Sequence, residues 1–258
     1  MYQTETRQWC RAAAAALITV LCAGAVACGG QDRKDAKSAA AKPAGVPGPL
    51  SRARLTAASF TPGEDVGSFT ASEYGLGAPF GDEYTARPAD CLPLVSLKDA
   101  GSRYGAPHAE VNRELRRPGR LLGEDIAVQL RSYAHGDAAR VMKALAVAGT
   151  RCRGGFTEDR SVVEAGYLRT ETIRSPRIGD EAKAFRLTVR EPEGKAERYA
   201  YLTVVRSGST TLSFRSGGGS ADDDGGVPAA VVDEQWQKFL AATGPDTPSA
   251  RPNRGALS

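Results

Sequence analysis

The sequence has little of the chemistry that most catalytic and metal sites need. It contains only two histidines, His108 and His135, and their spacing is not that of the H-x-x-x-H pair of a zinc site. Neither a G-x-S-x-G elbow nor an S-x-x-K motif occurs, so the common serine nucleophiles lack their sequence signatures. We predict no catalytic residue, no metal and no cofactor. A cryptic hydrolase stays open as an alternative, because a Ser–His–Asp site can be assembled from residues that are distant in sequence.

Two loop segments lack the spacing of the binding motifs that they suggest. In the segment Gly75-x-Gly77-x-x-Phe80, a phenylalanine stands where a dinucleotide-binding loop has its third glycine, and no βαβ unit surrounds it. Residues 222–224 are three consecutive aspartates, whereas an EF-hand loop alternates its calcium ligands and ends in glutamate. We interpret the aspartates as a solvated acidic loop.

Charge of one sign is not in excess either. The formal net charge is +4 at pH 7, which is too balanced to indicate a nucleic-acid partner or strong membrane adhesion. The one basic cluster consists of Arg113, Arg116, Arg117 and Arg120. We interpret this cluster as a solvated loop face, with a contact to anionic envelope polymer or lipid headgroups as the alternative.

The only long apolar segment lies near the start of the chain. Residues 12–27 are uncharged and apolar, and Arg7 and Arg11 precede them. The segment is shorter than the ~20 residues that span a bilayer comfortably, so residues 1–27 are predicted to be a cleaved export signal. Its end, Ala25-Val26-Ala27-Cys28, resembles a bacterial lipobox. That resemblance implies a diacylglyceryl group and palmitate on Cys28, on the outer face of the cytoplasmic membrane; cleavage by ordinary signal peptidase, giving a secreted protein, is the alternative.

Cysteine is also scarce. Of five cysteines, two leave with the signal, and an odd number in an exported protein demands an explanation. If Cys28 is lipidated, Cys91 and Cys152 remain as a pair in an oxidising compartment. We predict a structural disulfide, because a catalytic redox pair is more often a C-x-x-C motif; two buried free thiols are the alternative.

The rest of the chain divides by composition. Residues 28–51 are predicted to be a flexible tether, and about 20 such residues have an r.m.s. reach of roughly 25 Å. Residues 52–244 have the length of a single domain. Residues 245–258 are predicted to be a disordered tail.

Within the domain, the clearest pattern is the alternation of apolar residues over 184–190, 199–205 and 211–215. It predicts three consecutive antiparallel strands with one buried face. Further strands are predicted over 66–74 and 126–131, and a loop over 75–88.

Helical spacing is equally clear elsewhere. Residues 54–60 are predicted to be a short helix or a turn, and residues 89–97 have helical spacing. A longer helix is expected to have Asp137 as its N-cap and to stop at Gly149. A closing helix is expected to carry Pro228 in its first turn and to end at Gly244.

Asp180 and Glu181 form the most suggestive carboxylate pair. Adjacent residues on an extended chain face opposite ways, so they suit a shared acid–base site poorly. We predict that Asp180 instead caps a turn by bonding backbone amides.

The motif Ile178-Gly179-Asp180-Glu181-Ala182 leads into an alternating strand and resembles the turn of an actinobacterial sensor-domain family, named for the extracellular part of PknH-type receptor kinases. The resemblance implies an α+β fold, an antiparallel sheet flanked by helices as in a PsbP-like sandwich. It also implies binding of an extracytoplasmic ligand or sensing of the envelope, without known catalysis. The chain departs from the family in allowing one disulfide rather than two and in carrying no kinase motif.

Three functions follow from these observations. The first is a lipid-anchored, non-enzymatic module that binds a small molecule or envelope component, which a deep apolar cleft beside the sheet would favour. The second is a structural lipoprotein that docks another exported protein, which a flat apolar patch would favour. The third is the cryptic hydrolase. Tyr199, Tyr201 and Trp236 are candidates for lining a pocket, although core packing suits Trp236 better.

Overall fold

A computed structural model describes residues 48–74, 85–97, 104–119, 125–160, 163–217 and 225–244. Cys28, the expected signal, most of the tether and the tail lie outside these residues, as do the glycine-containing segment, Arg120 and the three aspartates. Within the described residues, no helix is long and apolar enough to cross a membrane.

The described chain contains four α-helices and ten strands. The helices are α1 (Arg52–Ala58), α2 (Leu92–Ser96, preceded by a 3₁₀ turn at Ala89–Cys91), α3 (Asp137–Arg151) and α4 (Ala229–Thr243). The strands are β1 (Asp65–Val66), β2 (Phe69–Glu73), β3 (Thr85–Arg87), β4 (Ala109–Arg116), β5 (Ile126–Ser132), β6 (Phe156–Arg160), β7 (Val163–Ile173), β8 (Glu181–Val189), β9 (Arg198–Ser207) and β10 (Thr210–Gly217).

All ten strands belong to one sheet in the order β1-β2-β4-β5-β10-β9-β8-β7-β6-β3. Every neighbouring pair is antiparallel. Strands β8, β9 and β10 form the predicted meander; residues 190–197 connect β8 to β9, and a turn at Gly208 and Ser209 connects β9 to β10. The structure therefore confirms an α+β fold in which helices flank an antiparallel sheet.

The two helix pairs pack on opposite faces of this sheet. On one face, which we call the α3 face, Phe185 and Leu202 pack with α2 and α3. On the other, the α4 face, Val205, Leu212 and Phe214 pack with α1 and α4. The expectation that the meander has one buried face was wrong: residues 200–205 of β9 and 210–214 of β10 are all buried, because both faces of the central strands are covered.

A disulfide joins Cys91, at the start of α2, to Cys152, which follows the last residue of α3. The two Cα atoms are 5.8 Å apart and the residues are separated by 61 positions. Both cysteines are fully buried in the core of the α3 face. The bridge therefore fixes the two helices of that face to each other.

The ends of two helices differ from the expectation. Gly136, with φ of 79°, is the N-cap of α3, and Asp137 is its first helical residue. The helix continues past Gly149, which does not end it but lies against Phe185; a Cβ atom there would be 2.4 Å from the phenylalanine ring. Pro228 is the N-cap of α4 rather than part of its first turn.

Several strands were mispredicted. Residues 66–74 form the hairpin β1–β2 around Gly67, whose φ is +60°. The predicted loop at 75–88 contains β3, which pairs with β6. Strands β4, β6 and β7 were not predicted, because charged or threonine residues alternate along them where an apolar face is normally recognised.

Candidate functional site

Polar side chains on the α3 face of the sheet form the candidate site. On β4, β5 and β10, the residues in phase with the apolar ones that pack against α1 and α4 face those helices, so the alternate residues must point to the α3 face. The register places Glu110, Arg131, Thr211 and Arg206 directly opposite one another across β4, β5, β10 and β9. A second row is formed by Asn112, Gln129 and Ser213. We call these two rows the polar track.

The first row contains a buried ion pair. Arg131 is fully buried, and its Nε donates to Glu110 Oε2 at 2.6 Å. Asn112 Nδ2 donates to the other oxygen of Glu110 at 2.6 Å, and Gln129 Nε2 donates to Asn112 Oδ1 at 3.1 Å. A buried charge costs several kcal/mol unless it is paired and hydrogen-bonded. The Glu110 carboxylate and the two amides therefore hold Arg131 in place.

The hydroxyls next to this network have no hydrogen-bond partner. Thr211 and Ser213 are 0% and 1% exposed, and the Oγ atoms of both are unmatched. The Tyr133 hydroxyl lies beside the side chains of Thr211 and Arg131. Burial raises the pKa of Tyr133, and the positive charge of Arg131 partly offsets that effect. An unmatched buried polar group costs about 1–3 kcal/mol, so a hydrogen-bonding partner at these hydroxyls would stabilise the folded state.

The polar track leads across the sheet to a groove. Ser213 lies opposite Val204, and Val204 lies opposite Lys183 on β8. Lys183 lines a half-open groove of about 200 Å³ between α3 and the adjoining ends of β7 and β8. The other lining residues are Ala146, Thr172, Ile173, Ser175, Ala182, Ala184 and Phe185. Four strand spacings, roughly 19 Å, separate Asn112 of the track on β4 from Lys183 on β8, and the buried Val204 lies between Ser213 and Lys183.

The groove does not have the expected character. Drug-sized ligands occupy pockets of roughly 300–1,000 Å³, and this groove is smaller and carries Lys183, whose Nζ lies 3.0 Å from Glu181 Oε1. The expectation of a deep apolar cleft is therefore not met here. A flat apolar patch is not seen either: the large apolar side chains exposed in the described residues, Val147, Leu168 and Leu240, lie on three different elements.

Asp180 has a structural role. Its Oδ2 accepts hydrogen bonds from the backbone N–H of Gly208 at 2.7 Å and from Arg206 Nη1 at 2.8 Å. Asp180 thus bonds a backbone amide, as predicted, but the amide belongs to the turn between β9 and β10 and not to the turn that contains Asp180. A Cβ on Gly179, whose φ is +69°, would lie 2.5 Å from Arg206 O, so the motif needs glycine at this position.

Half of the predicted basic loop belongs to a strand. Arg113 and Arg116 belong to β4, and Arg113 is buried with its Nε donating to Phe60 O at 2.8 Å. Burial lowers the pKa of Arg113. Arg116 bonds Glu114 through Nε and Nη2, and the Arg117 guanidinium lies 5.0 Å from the Phe69 ring centroid. These arginines are engaged within the fold.

The remaining candidates do not converge on the groove. Both histidines are exposed, and no serine or carboxylate in the described residues is hydrogen-bonded to their side chains. The same residues contain no group of three potential metal ligands. Tyr199 and Tyr201 lie on the α4 face, away from the groove, and Trp236 stacks on Phe239 beside the core.

Sequence reasoning missed the residues of the polar track. The alternation of β5 does place Gln129 and Arg131 on one side, but that side looks like a solvent face when the strand is read alone. Which residues of β4 and β10 stand opposite them depends on strand register, and a slip of one residue would reverse every side chain.

No family model and no curated protein matches the chain. Among solved structures, the fold is similar to the extracellular domain of PknH from Mycobacterium tuberculosis, with a TM-score of 0.50 at 11% identity, over 75% of this chain and 97% of that one. An uncharacterized protein from Mycobacterium smegmatis, the ortholog of Rv0999, aligns with a TM-score of 0.33 at 13% identity, over 74% of this chain and 92% of that one. The likeness to the PknH extracellular domain is one of fold, and it agrees with the fold that the resemblance of residues 178–182 implied.

Proposed function

We propose that the chain is an extracytoplasmic, non-enzymatic domain, anchored by lipid on Cys28, that binds a ligand or senses the envelope. The polar track carries this proposal, because the hydroxyls of Thr211 and Ser213 are buried there without partners. A ligand that supplied their missing hydrogen bonds would stabilise the folded state by mass action.

Three features support a location outside the cytoplasm. The first 27 residues have the composition of an export signal. The fold is shared with an extracellular domain. A buried disulfide is typical of oxidising compartments. Lipidation of Cys28 would add more than one acyl chain, which suffices for stable anchoring.

Two serines of β10 allow a matched test of ligand binding. Ser213 and Ser216 are both buried with unmatched hydroxyls, but they point to opposite faces of the sheet. Native mass spectrometry of protein purified from its own envelope should detect a bound molecule in the wild type and in Ser216→Ala. The same measurement on Ser213→Ala should show that molecule depleted.

The ligand-free protein provides the folding control. Ser213→Ala removes an unmatched hydroxyl, so its free energy of unfolding is expected to be equal to or higher than that of the wild type. Loss of the molecule from a stable Ser213→Ala protein would therefore report on binding. A wild type without any bound molecule, or equal occupancy in the two alanine variants, would contradict a ligand site on the polar track.

A further inference from the structure

The ionised side chains of the polar track are paired within the protein. Glu110 Oε2 accepts from Arg131 Nε at 2.6 Å. Arg206, the remaining charged residue of the track, donates through Nη1 to Asp180 Oδ2 at 2.8 Å. Each ionised side chain of the two rows therefore lies against a group of opposite charge.

The cations that border the two rows are balanced in the same way. Three of them each lie near a carboxyl group, namely Lys183 near Glu181, Arg116 near Glu114, and Arg215 near Asp125. Glu181 also lies 3.9 Å from Arg206 Nε. Among the described residues, the polar track and its border thus hold opposite charges in balance, and an ionised ligand would add a charge that nothing there offsets.

The groups of the track that lack partners are hydroxyls. The Oγ atoms of Thr211 and Ser213 are buried and unmatched. The two residues lie on the same face of β10, two positions or about 7 Å apart along the strand. A hydroxyl donates one hydrogen bond and accepts up to two. The track therefore needs neutral hydrogen-bond partners at two neighbouring points, and no counter-charge.

The cover over the track limits the size of a ligand. Arg131 Nη1 donates to Ser96 O, at the end of α2, at 3.4 Å. A Cβ added to Gly105 would lie 3.1 Å from Tyr133 Cε1, so the segment around Gly105 packs directly on the Tyr133 ring. Helix α2 and this segment thus lie over the same face as the unmatched hydroxyls. A ligand there is enclosed, as a small molecule can be and a polymer chain cannot.

We infer that the polar track binds a small uncharged polyol, between glycerol and an inositol in size. This inference rests on the ligand site proposed above and names its chemical class. A polyol carries several hydroxyls that both donate and accept, so one molecule can serve Thr211 and Ser213 together. An ionised ligand would be a buried charge without a counter-charge, which is strongly unfavourable. An apolar ligand would leave both hydroxyls unmatched.

The first experiment determines the chemistry of the molecule that the protein carries from its own envelope. The molecule that the wild type and Ser216→Ala retain, and that Ser213→Ala loses, is released by denaturation and analysed by tandem mass spectrometry in both ion modes. We expect several hydroxyl groups, counted by peracetylation, and no phosphate, sulfate, carboxylate or amine. A molecule that carries one of these ionised groups would overturn this inference and would leave the proposed ligand site standing.

Matched probes test the preference for an uncharged ligand directly. The chain from residue 28 onward with Cys28→Ser, prepared without glycerol or sugars, is titrated in NMR experiments with glycerol, inositol and the phosphate monoester of each. The two neutral polyols should shift the amide resonances of β5 and β10. Each phosphate ester should bind at least about tenfold more weakly than its parent polyol, because its charge has no partner in the track. A phosphate ester that binds as tightly as its parent would overturn the inference.

Two buried threonines provide the matched variants. Thr211 and Thr188 both have unmatched hydroxyls, but Thr188 lies on the α4 face of β8. Valine removes the hydroxyl in each case, so neither variant is expected to lose stability. Thr211→Val should bind the polyols about tenfold more weakly, and Thr188→Val should bind them like the parent. Equal affinities of the two variants, or a parent chain that binds neither polyol, would overturn the inference.

Discussion

Gly149 shows at the scale of one residue how α3 reaches the sheet. The residue lies inside the helix, where glycine normally lowers stability. An added Cβ would lie 2.4 Å from Phe185 Cε1 and 3.2 Å from its Cζ. Glycine therefore allows the helix to approach the buried phenylalanine closely, and this contact outweighs its poor helix propensity.

We predict that Gly149→Ala destabilises the domain. Overpacking typically costs about 1–3 kcal/mol, and the better helix propensity of alanine returns roughly 1 kcal/mol, so a net loss of up to about 2 kcal/mol is expected. Urea denaturation would measure it. Gly154→Ala is the control, since nothing lies within 4 Å of its added Cβ. A Gly149→Ala protein as stable as this control would contradict the close packing.

Asp125 provides a pH-dependent prediction. Burial, and next the negative charge of Glu114, raise the pKa of Asp125 above its ordinary value of 3.8. The folded state therefore binds this proton more tightly than the unfolded state, and this carboxyl's contribution to stability falls as the pH rises from 3.8 through the folded-state pKa. We expect Asp125→Asn to raise the thermal midpoint at neutral pH and to have less effect at acidic pH.

The exposed Asp233 on α4 provides the matched aspartate-to-asparagine control. Thermal midpoints of both variants and the wild type, measured from acidic to neutral pH, would make the comparison. A lower midpoint of Asp125→Asn than of the wild type at neutral pH would show that the Asp125 carboxylate stabilises the fold.

At the scale of elements, the disulfide is the main constraint on the helices of the α3 face. It ties α2 to α3 over 61 residues, which on the loop-entropy description contributes roughly 4 kcal/mol. We predict that Cys91→Ala/Cys152→Ala loses stability of this order. Guanidinium denaturation of the oxidised wild type and the double variant would measure the difference, and coincident unfolding curves would contradict a stabilising bridge.

The helices and strands that were predicted correctly from the sequence are those that have an apolar face buried against a neighbouring layer of the fold. Helix α3 and strands β8 and β9 belong to this group, because their buried positions follow a 3.6- or two-residue period. Strand β7 was missed because it alternates threonine with charged residues (Arg169, Thr170, Glu171). Strand β4 was missed because of Arg113. This arginine is buried and hydrogen-bonded to a backbone carbonyl, but in the sequence it cannot be distinguished from an arginine that faces solvent.

The candidate site was less predictable than the fold for a physical reason. Arg131 and Ser213 are 82 residues apart in sequence, and only the pairing of β5 with β10 brings their strands together. Both residues are buried because other parts of the chain pack over the sheet, and the periodicity of a single strand does not predict that packing. The position of the polar track is set by the register between strands, which cannot be read from one strand alone.

At the scale of the whole molecule, the two helix pairs are offset along a ten-stranded sheet. Helices α1 and α4 pack on one face toward the β1 edge, and α3 packs on the opposite face over β7, β8 and β9. This offset leaves two diagonally related areas of sheet to polar side chains. One of these areas, on the α3 face of β4, β5 and β10, carries the polar track.

The intact mass of the protein extracted from membranes, combined with non-reducing peptide mapping, tests this account most directly. We expect a chain that begins at Cys28, carries acyl mass on that residue and has Cys91 linked to Cys152. A chain that retains residues 1–27, with an unmodified Cys28 and two free thiols, would contradict an anchored domain outside the cytoplasm.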